Sequence, residues 1–214
     1  MSSANNPVDP RSPRRYFLVA AGVAVLVLVV LWTQVVQTYT VVADSMIPTL
    51  HNGDRLVVLR TSSIERGDLV VFDGEHLLGT PGTAYVKRVV GVPGDHVVCC
   101  TEGRLVVNGE PADEPFLAGP TDQVTFDVTV PADRYWVLGD NRTDSADSRS
   151  ALGRPGGGML RASDVVGEVV WRYWPTGRIG PIESATVDPA RADAAVVRLV
   201  GDTSVSSSGP GSRP

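Results

Sequence analysis

The sequence predicts an all-β domain of antiparallel sheets that follows one N-terminal transmembrane helix. Three observations lead to this fold class: a long uncharged N-terminal stretch, a series of short Val-rich runs after it, and turn residues between those runs. Gly and Pro number 22 and 16 among 214 residues, which fits a turn-rich β protein and excludes a long helical bundle. A formal net charge of −5 argues against a general nucleic-acid binder, so we expect no nucleic-acid partner.

The N-terminal stretch predicts a membrane anchor. No charged residue occurs from Tyr16 to Ala43, and residues 16–36 are dense in Val, Leu and Ala. They are long enough to cross a hydrocarbon core of about 30 Å as a helix. Three arginines before Tyr16 place residues 1–15 in the cytoplasm and the rest of the chain outside. A cleaved signal peptide is the alternative, but its apolar region is shorter and ends in a small-residue site that is missing here. We therefore expect a single-pass protein of the cell membrane, with the lipid bilayer as a partner.

The exported part, residues 37–183, contains short runs rich in Val and aromatic residues, with turn clusters between them. Asn108-Gly109 directly follows one such run and predicts a hairpin with a tight primed turn. Residues 184–214 form a C-terminal extension whose Ser/Gly/Pro-rich end is expected to be disordered. The predicted strands are 56–59, 69–72, 85–90, 96–99, 105–107, 124–130, 135–138 and 165–174.

Ser45 is a candidate nucleophile that follows the anchor by only nine residues, so it lies within roughly 30 Å of the outer membrane surface. A serine hydroxyl is weakly nucleophilic and needs a base. The candidate bases are three histidines and Lys87. His51 would be the natural choice for a Ser-His-Asp site, but His51-Asn52-Gly53-Asp54 is typical of an exposed turn.

Lys87 is the only lysine among 19 basic residues. If its segment is a strand, Lys87 shares a side with Tyr85, and Arg88 lies on the opposite side. Apolar surroundings lower the pKa of a lysine, and a neutral amine can accept the proton of a serine hydroxyl, as in Ser-Lys enzymes. Arg88 would stay charged and pair with Asp140 or Asp147. The alternative is a lysine that snorkels from an exposed strand.

Four segments of this sequence, in the same order, resemble the bacterial type I signal peptidases, also called leader peptidases. The resemblance covers residues 14–175 and includes the anchor and the exported β domain. It implies a membrane-anchored serine endopeptidase that uses a Ser-Lys dyad, needs no cofactor, and cleaves N-terminal signal peptides from exported preproteins. It also implies a functional link to the protein export machinery. The segments are Ser45–Thr49, Arg66–Phe72, Lys87–Asp95 and Gly139–Arg149.

The resemblance also implies the roles of individual residues. Ser45 is the nucleophile, Lys87 is the general base, and Ser145 orients the lysine through a hydrogen bond. In many family members a serine two positions before the nucleophile assists the oxyanion, whereas this chain has Ala43 there. A calcium site in the acidic loop is the alternative, but its spacing does not follow an EF-hand, so no metal is expected. Three more positions support the site through a polar network: Asp140, Asp147 and Arg149.

Substrates of the family carry small residues at the first and third positions before the cut, which requires shallow apolar pockets. Ordinary core packing is the alternative for each candidate pocket residue. The segment Tyr39–Ala43 is a candidate edge for strand addition by an extended substrate. By their matching positions, the pocket candidates are Val41, Met46, Leu50, Tyr85 and Val86.

The family often has a smaller β subdomain where this chain has residues 96–134, so we expect a small β insertion there. Cys99 and Cys100 lie in it, and the sequence leaves open whether they form a vicinal disulfide.

Other functions remain as alternatives. Self-cleaving repressor proteases share the dyad chemistry, but the anchor argues against them. A peptidase dedicated to one substrate, such as a surface-fibre subunit, is harder to exclude. A non-enzymatic anchored scaffold is supported by Ala43 and opposed by the intact Ser45, Lys87 and Ser145.

Overall fold

The computed structural model describes residues 12–61, 63–117, 119–121 and 123–184. It begins with helix α1 (Ser12–Val35), which runs directly into the first strand. The only other α-helix in the described part is the short α2 (Glu75–Leu78). Within the described residues, no helix combines the length and the apolar character of a membrane span. Nearly all of the C-terminal extension predicted at 184–214 lies outside the described residues.

The described residues contain twelve strands, and the expected antiparallel β fold is confirmed, because every paired strand runs antiparallel to its neighbour. The strands are β1 (Val36–Thr40), β2 (Arg55–Leu59), β3 (Leu69–Asp73), β4 (Ala84–Gly91), β5 (His96–Thr101), β6 (Arg104–Val107), β7 (Glu110–Pro111), β8 (Phe126–Thr129), β9 (Arg134–Leu138), β10 (Leu160–Arg161), β11 (Val165–Trp174) and β12 (Gly180–Pro181).

The larger sheet has the order β1-β2-β11-β3-β4-β9-β10, and β12 pairs with β11. Strand β4 is central to the site because Lys87 pairs with Val70 of β3 on one side and Arg88 pairs with Leu138 of β9 on the other. A residue held between two strands has a fixed backbone, so its side chain starts from a defined position.

The smaller sheet has the order β7-β6-β5-β8 and falls within the stretch expected as an insertion. The predicted hairpin at its tip is confirmed, since Val107 pairs with Glu110 across Asn108-Gly109. Asn108 and Gly109 both have positive φ, 54° and 88°, as a primed two-residue turn requires. Cys99 and Cys100, left open by the sequence, are joined by a disulfide in β5.

Three hydrophobic clusters hold these layers together. The cluster beneath the serine segment includes Met46, Leu50 and Val58. Another joins the smaller sheet to β4 and β9, and the fully buried Trp136 lies within it, where its ring packs against Phe126 with centroids 5.0 Å apart. The smaller sheet is therefore packed against β9 and against β4, the strand that carries Lys87.

Candidate active site

Ser45 lies in a turn between β1 and β2, half-buried at the surface of the sheet. The side chains of Met46 and Leu50 are completely buried next to it, and the amide of Leu50 donates to the carbonyl of Met46 at 2.9 Å. The carbonyl of Ser45 accepts a 3.0 Å hydrogen bond from the amide of Asn141. The turn is thus fixed from below by apolar packing and from the side by the 139–147 loop.

Lys87 reaches Ser45 from β4. Its Nζ lies 2.7 Å from Ser45 Oγ and 3.0 Å from the carbonyl oxygen of Val86, and the residue is only 2% exposed. Desolvation by burial lowers the pKa of Lys87 from 10.5 to about 8, and the negative charges of Asp147 and Asp140 oppose this shift. A useful fraction of the lysine is therefore neutral near neutral pH, as a general base requires.

The three histidines have other partners. His51 contacts Arg178, and the imidazoles of His76 and His96 pair with aspartates outside the site. Among the described residues, Lys87 is the basic side chain that hydrogen-bonds Ser45 Oγ. The Ser-His-Asp alternative has no geometric support here.

Asp140 is held by Arg88, one of the two pairings that the sequence left open. The guanidinium of Arg88 donates through Nε and Nη2 to the two carboxylate oxygens at 2.9 and 2.7 Å, and Thr49 Oγ1 donates at 2.5 Å. Arg88 Nη1 also donates to the carbonyl of Gly67 at 2.7 Å. Both members of the ion pair are at most 1% exposed, so the pair holds the loop to β4 through charge-assisted hydrogen bonds.

Asp147 forms a second buried pair with Arg149, through Nε at 3.0 Å and Nη2 at 2.8 Å. The same carboxylate accepts from the amides of Gly139 and Arg149, both at 3.1 Å. It caps the short 3₁₀ helix Ser148–Ala151 in a capping box with Ser150. Asp147 therefore connects both ends of the loop that surrounds the candidate dyad.

Gly139 has no side chain, which allows Ser45 and Ser145 to lie close to it and to each other. A Cβ at this position would lie 2.6 Å from Ser145 Cβ and 2.6 Å from the carbonyl oxygen of Ser45, which no ordinary side chain tolerates. Ser145 Oγ is buried but has no hydrogen-bond partner among the described residues. The bond to Lys87 that the resemblance implies is therefore not formed in this structure.

A groove of about 290 Å³ opens beside Ser45 and Lys87. Three of the five pocket candidates, Val41, Tyr85 and Val86, line it. Met46 and Leu50 do not, because both side chains belong to the core cluster beneath the serine. The remaining lining residues are Tyr39, Thr40, Val42, Ala43, Leu56, Val71, Thr83 and Ala84.

Comparisons with known proteins show the family of the chain. The family model described as signal peptidase, peptidase S26 matches residues 14–174 of the chain. The chain belongs to the signal peptidase family. It is 34% identical over 179 residues to signal peptidase I of Leptolyngbya laminosa, covering 80% of this chain and 85% of the relative. It is also 34% identical over 181 residues to signal peptidase IB of Staphylococcus aureus, covering 74% and 88%.

Among solved structures, the chain is similar to the crystal structure of a signal peptidase I from Enterococcus faecalis V583. The TM-score is 0.39 at 25% identity, and the match covers 50% of this chain and 96% of that chain. Family membership rests on the sequence matches, which identify the chain as a serine endopeptidase of the type I signal peptidase family.

Two residues of this signal peptidase that contact the support network were not singled out from the sequence. Thr49 donates to Asp140, and Arg142 donates through Nε to the carbonyl of Gly139 at 2.9 Å. Both stand inside segments that carry the family resemblance, which was the available signal. Asp140 lies 91 residues from Thr49, and Glu114, the carboxylate partner of Arg142, lies 28 residues from it, so these two contacts could not be read from local pattern.

Proposed function

We propose that this chain is a membrane-anchored endopeptidase that removes signal peptides from exported preproteins, with Ser45 as nucleophile and Lys87 as general base. One observation carries the proposal: the only lysine of the chain is buried with its Nζ 2.7 Å from a serine hydroxyl. That distance lies within the range for proton transfer, and burial keeps part of the lysine neutral.

The chemistry follows from this pair. Neutral Lys87 accepts the proton of Ser45 as Oγ attacks the scissile carbonyl, and the ammonium then protonates the departing amine. The bond between the carbonyl carbon and the amide nitrogen breaks, and the signal-peptide carbonyl stays on the serine as an ester. Lys87 next takes a proton from water, whose oxygen attacks the ester, and returns that proton to Ser45 Oγ.

The oxyanion is served by backbone donors in this proposal, because Ala43 offers no side-chain donor. The amide of Ser45 donates no hydrogen bond to another described residue, so it is available to the developing negative charge. A backbone donor next to the nucleophile is fixed by the turn and needs no reorganisation during the reaction.

The groove beside Ser45 and Lys87 binds the substrate in this proposal. Its walls are formed by Val41, Leu56 and Val86, whose apolar side chains suit the small residues expected before the cut. The segment Tyr39–Ala43 lies along the same groove, where an extended substrate can add as a strand.

The uncharged sequence and the exposed apolar side chains of α1 support the membrane anchor. The uncharged stretch starts at Tyr16, and the apolar side chains of Tyr16, Phe17 and Leu18 are 75%, 73% and 61% exposed. Apolar surface on this scale calls for a non-aqueous partner, and we propose the bilayer. The N-terminus then lies in the cytoplasm and the active site outside, where preproteins leave the export machinery.

The proposal is tested with the full chain in detergent or vesicles and a preprotein that carries a signal peptide. We expect Ser45→Ala to lower cleavage by at least about 10⁴-fold and Lys87→Arg by at least about 10³-fold, because arginine does not lose its proton. Ser63→Ala is the matched control, since this exposed serine uses only its backbone amide in a hydrogen bond.

Near-normal cleavage by Lys87→Arg would overturn the dyad. Cleavage by Ser45→Ala at the rate of the Ser63→Ala control would overturn the nucleophile. Equal activity of the full chain in bilayers and of a chain that starts after residue 36 in solution would overturn the role of the anchor.

A further inference from the structure

The segment between β7 and β8 reaches from the smaller sheet to the back of the active-site loop. There the carboxylate of Glu114 pairs with the guanidinium of Arg142, which donates to it through both Nη1 and Nη2. The side chains are buried, with Arg142 0% and Glu114 4% exposed. Two oxygens and two nitrogens meet out of water, an arrangement that fixes the orientation of both groups.

Arg142 also binds the loop itself. Its Nε donates to the carbonyl of Gly139 at 2.9 Å, and its own carbonyl accepts from Arg149 Nη2 at 2.9 Å. Nη1 donates in addition to Thr121 Oγ1 of the same inter-strand segment as Glu114. Arg142 therefore joins the segment between β7 and β8 to Gly139, whose lack of a side chain allows Ser45 and Ser145 to lie close together.

The segment between β7 and β8 also contacts Arg88, which holds Asp140 of the 139–147 loop. The ring of Phe116 lies over the guanidinium of Arg88, with the central carbon 3.9 Å from the ring centroid. The same guanidinium donates to the carboxylate of Asp140. The position and ionic partners of Arg88 are thereby limited by a face-on cation–π contact.

We propose that Glu114 is a positioning residue for cleavage, which acts through Arg142 and is assisted by Phe116. The segment between β7 and β8 is then a part of the catalytic apparatus. This inference rests on the proposed function of Ser45 and Lys87, and it adds that their geometry depends on an ion pair 28 residues apart in sequence.

Loss of the pair between Glu114 and Arg142 is expected to lower kcat and to leave KM unchanged. The 139–147 loop carries Asn141, which binds the carbonyl of Ser45, and Gly139, which contacts Ser145. The groove is lined by residues 39–43, 45, 56, 71 and 83–87, and neither Glu114 nor Arg142 forms a hydrogen bond to any of them. A small displacement of the loop therefore misplaces the reacting groups while the substrate site stays intact.

The test measures kcat and KM of Glu114→Gln in the full chain, with thermal unfolding of the same samples. Glutamine keeps the shape and one acceptor but removes the charge that Arg142 needs. We expect kcat to fall by about tenfold or more and KM to stay within about twofold of the parent value. Phe116→Leu, which keeps an apolar side chain, should lower kcat by about threefold.

Val107→Ala is the matched control. Val107 lies in β6, is 4% exposed and belongs to the cluster of the smaller sheet, but it is not among the hydrogen-bond partners of Arg88 or Arg142. It should lower the unfolding temperature through a core cavity and leave kcat unchanged. In a double-mutant cycle, adding Glu114→Gln to Arg142→Met should cause no further loss of kcat.

The inference is wrong if Glu114→Gln and Phe116→Leu lower only the unfolding temperature, as Val107→Ala does, or if Glu114→Gln and Arg142→Met have additive effects on kcat. It is also wrong if KM rises as much as kcat falls. The Ser45→Ala variant separates the two levels: if it still cleaves, the proposed function fails, whereas an inactive Ser45→Ala with unaffected Glu114→Gln overturns this inference alone.

Discussion

Two buried polar regions lie within a few residues of each other and differ in how they treat charge. One is the support network of Arg88, Asp140, Asp147 and Arg149, and the other is the surroundings of Lys87. In the support network every buried guanidinium is matched by a carboxylate, as Arg88 is by Asp140 and Arg149 by Asp147. Lys87 is equally buried, but its hydrogen bonds go to a hydroxyl and a carbonyl, and it forms no ion pair within the described residues. Charge is retained in one region and disfavoured in the other.

The difference shows why neighbouring basic residues on one strand have different chemistry. Arg88 stays protonated in proteins, so its burial requires a carboxylate partner. Lys87 can respond to burial by losing its proton, and its pKa falls to about 8. Asp140 and Asp147 are close enough to raise that pKa, but each is already paired with an arginine, which leaves desolvation as the larger effect.

The largest predicted effect is the removal of one partner from the paired region. Arg88→Met leaves Asp140 buried without its cation, so we expect a loss of unfolding free energy of about 3 to 5 kcal/mol. Chemical denaturation of the purified variant measures this loss. The control is the double variant Arg88→Met with Asp140→Asn. It also removes the orphaned charge, so it should recover part of the lost unfolding free energy. A variant as stable as the parent would show that the pair contributes nothing.

Lys87→Met should raise the free energy of unfolding, whereas Arg88→Met should lower it. Below about pH 8 the folded protein pays for a buried ammonium, whereas methionine of similar length avoids that cost. We expect the unfolding free energy to rise by about 1 to 3 kcal/mol at pH 7 while cleavage is lost.

The pH dependence of this gain checks its cause. The folded-state pKa lies below the unfolded value of 10.5, so the unfolded chain binds more protons between these two values. The parent therefore recovers stability as the pH rises from 8 towards 10.5, and the advantage of Lys87→Met should shrink over the same range. A gain that is constant with pH would mean that packing, and not the charge, is responsible.

The strands were accessible from the sequence because they depend on local pattern, whereas the pairing of Ser45 with Lys87 was implied by the family resemblance. Runs rich in Val and aromatic residues located β4 and β11, and Asn108-Gly109 located a hairpin. A single lysine between apolar neighbours indicated a neutral base, and its pKa is indeed lowered. Each of these inferences needs only residues that are close in the chain.

The missed features depend on the direction of side chains and on distant partners. Met46 and Leu50 follow the nucleophile closely, but the hydrogen-bonded turn that joins them directs both into the core, where they cannot line the groove. The pair Glu114–Arg142 joins two loops whose approach depends on the packing of one sheet on the other. No spacing rule in the sequence encodes such a contact.

The pH profile of cleavage gives a smaller effect, about tenfold in rate. With a pKa of about 8, the neutral fraction of Lys87 rises about tenfold between pH 7 and pH 9. We expect kcat/KM to follow this rise and to fall further towards pH 5, where the ammonium cannot accept a proton. Unfolding measured at each pH controls for loss of structure. A flat profile from pH 5 to 9 would contradict a base with a lowered pKa.

The smallest effect is expected at Ser145, which belongs to neither region. Its hydroxyl is buried and has no partner among the described residues, so Ser145→Ala should change the unfolding free energy by less than about 0.5 kcal/mol. Cleavage should still fall by about fivefold, because catalytic hydrogen bonds that are absent in a free enzyme often form with the substrate bound. Ser150→Ala, which removes a capping-box hydroxyl, is the converse control and should cost stability more than rate. Parent-like cleavage by Ser145→Ala would show that the hydroxyl does not orient Lys87 and that Gly139 is needed only for the close approach of the backbone of Ser45.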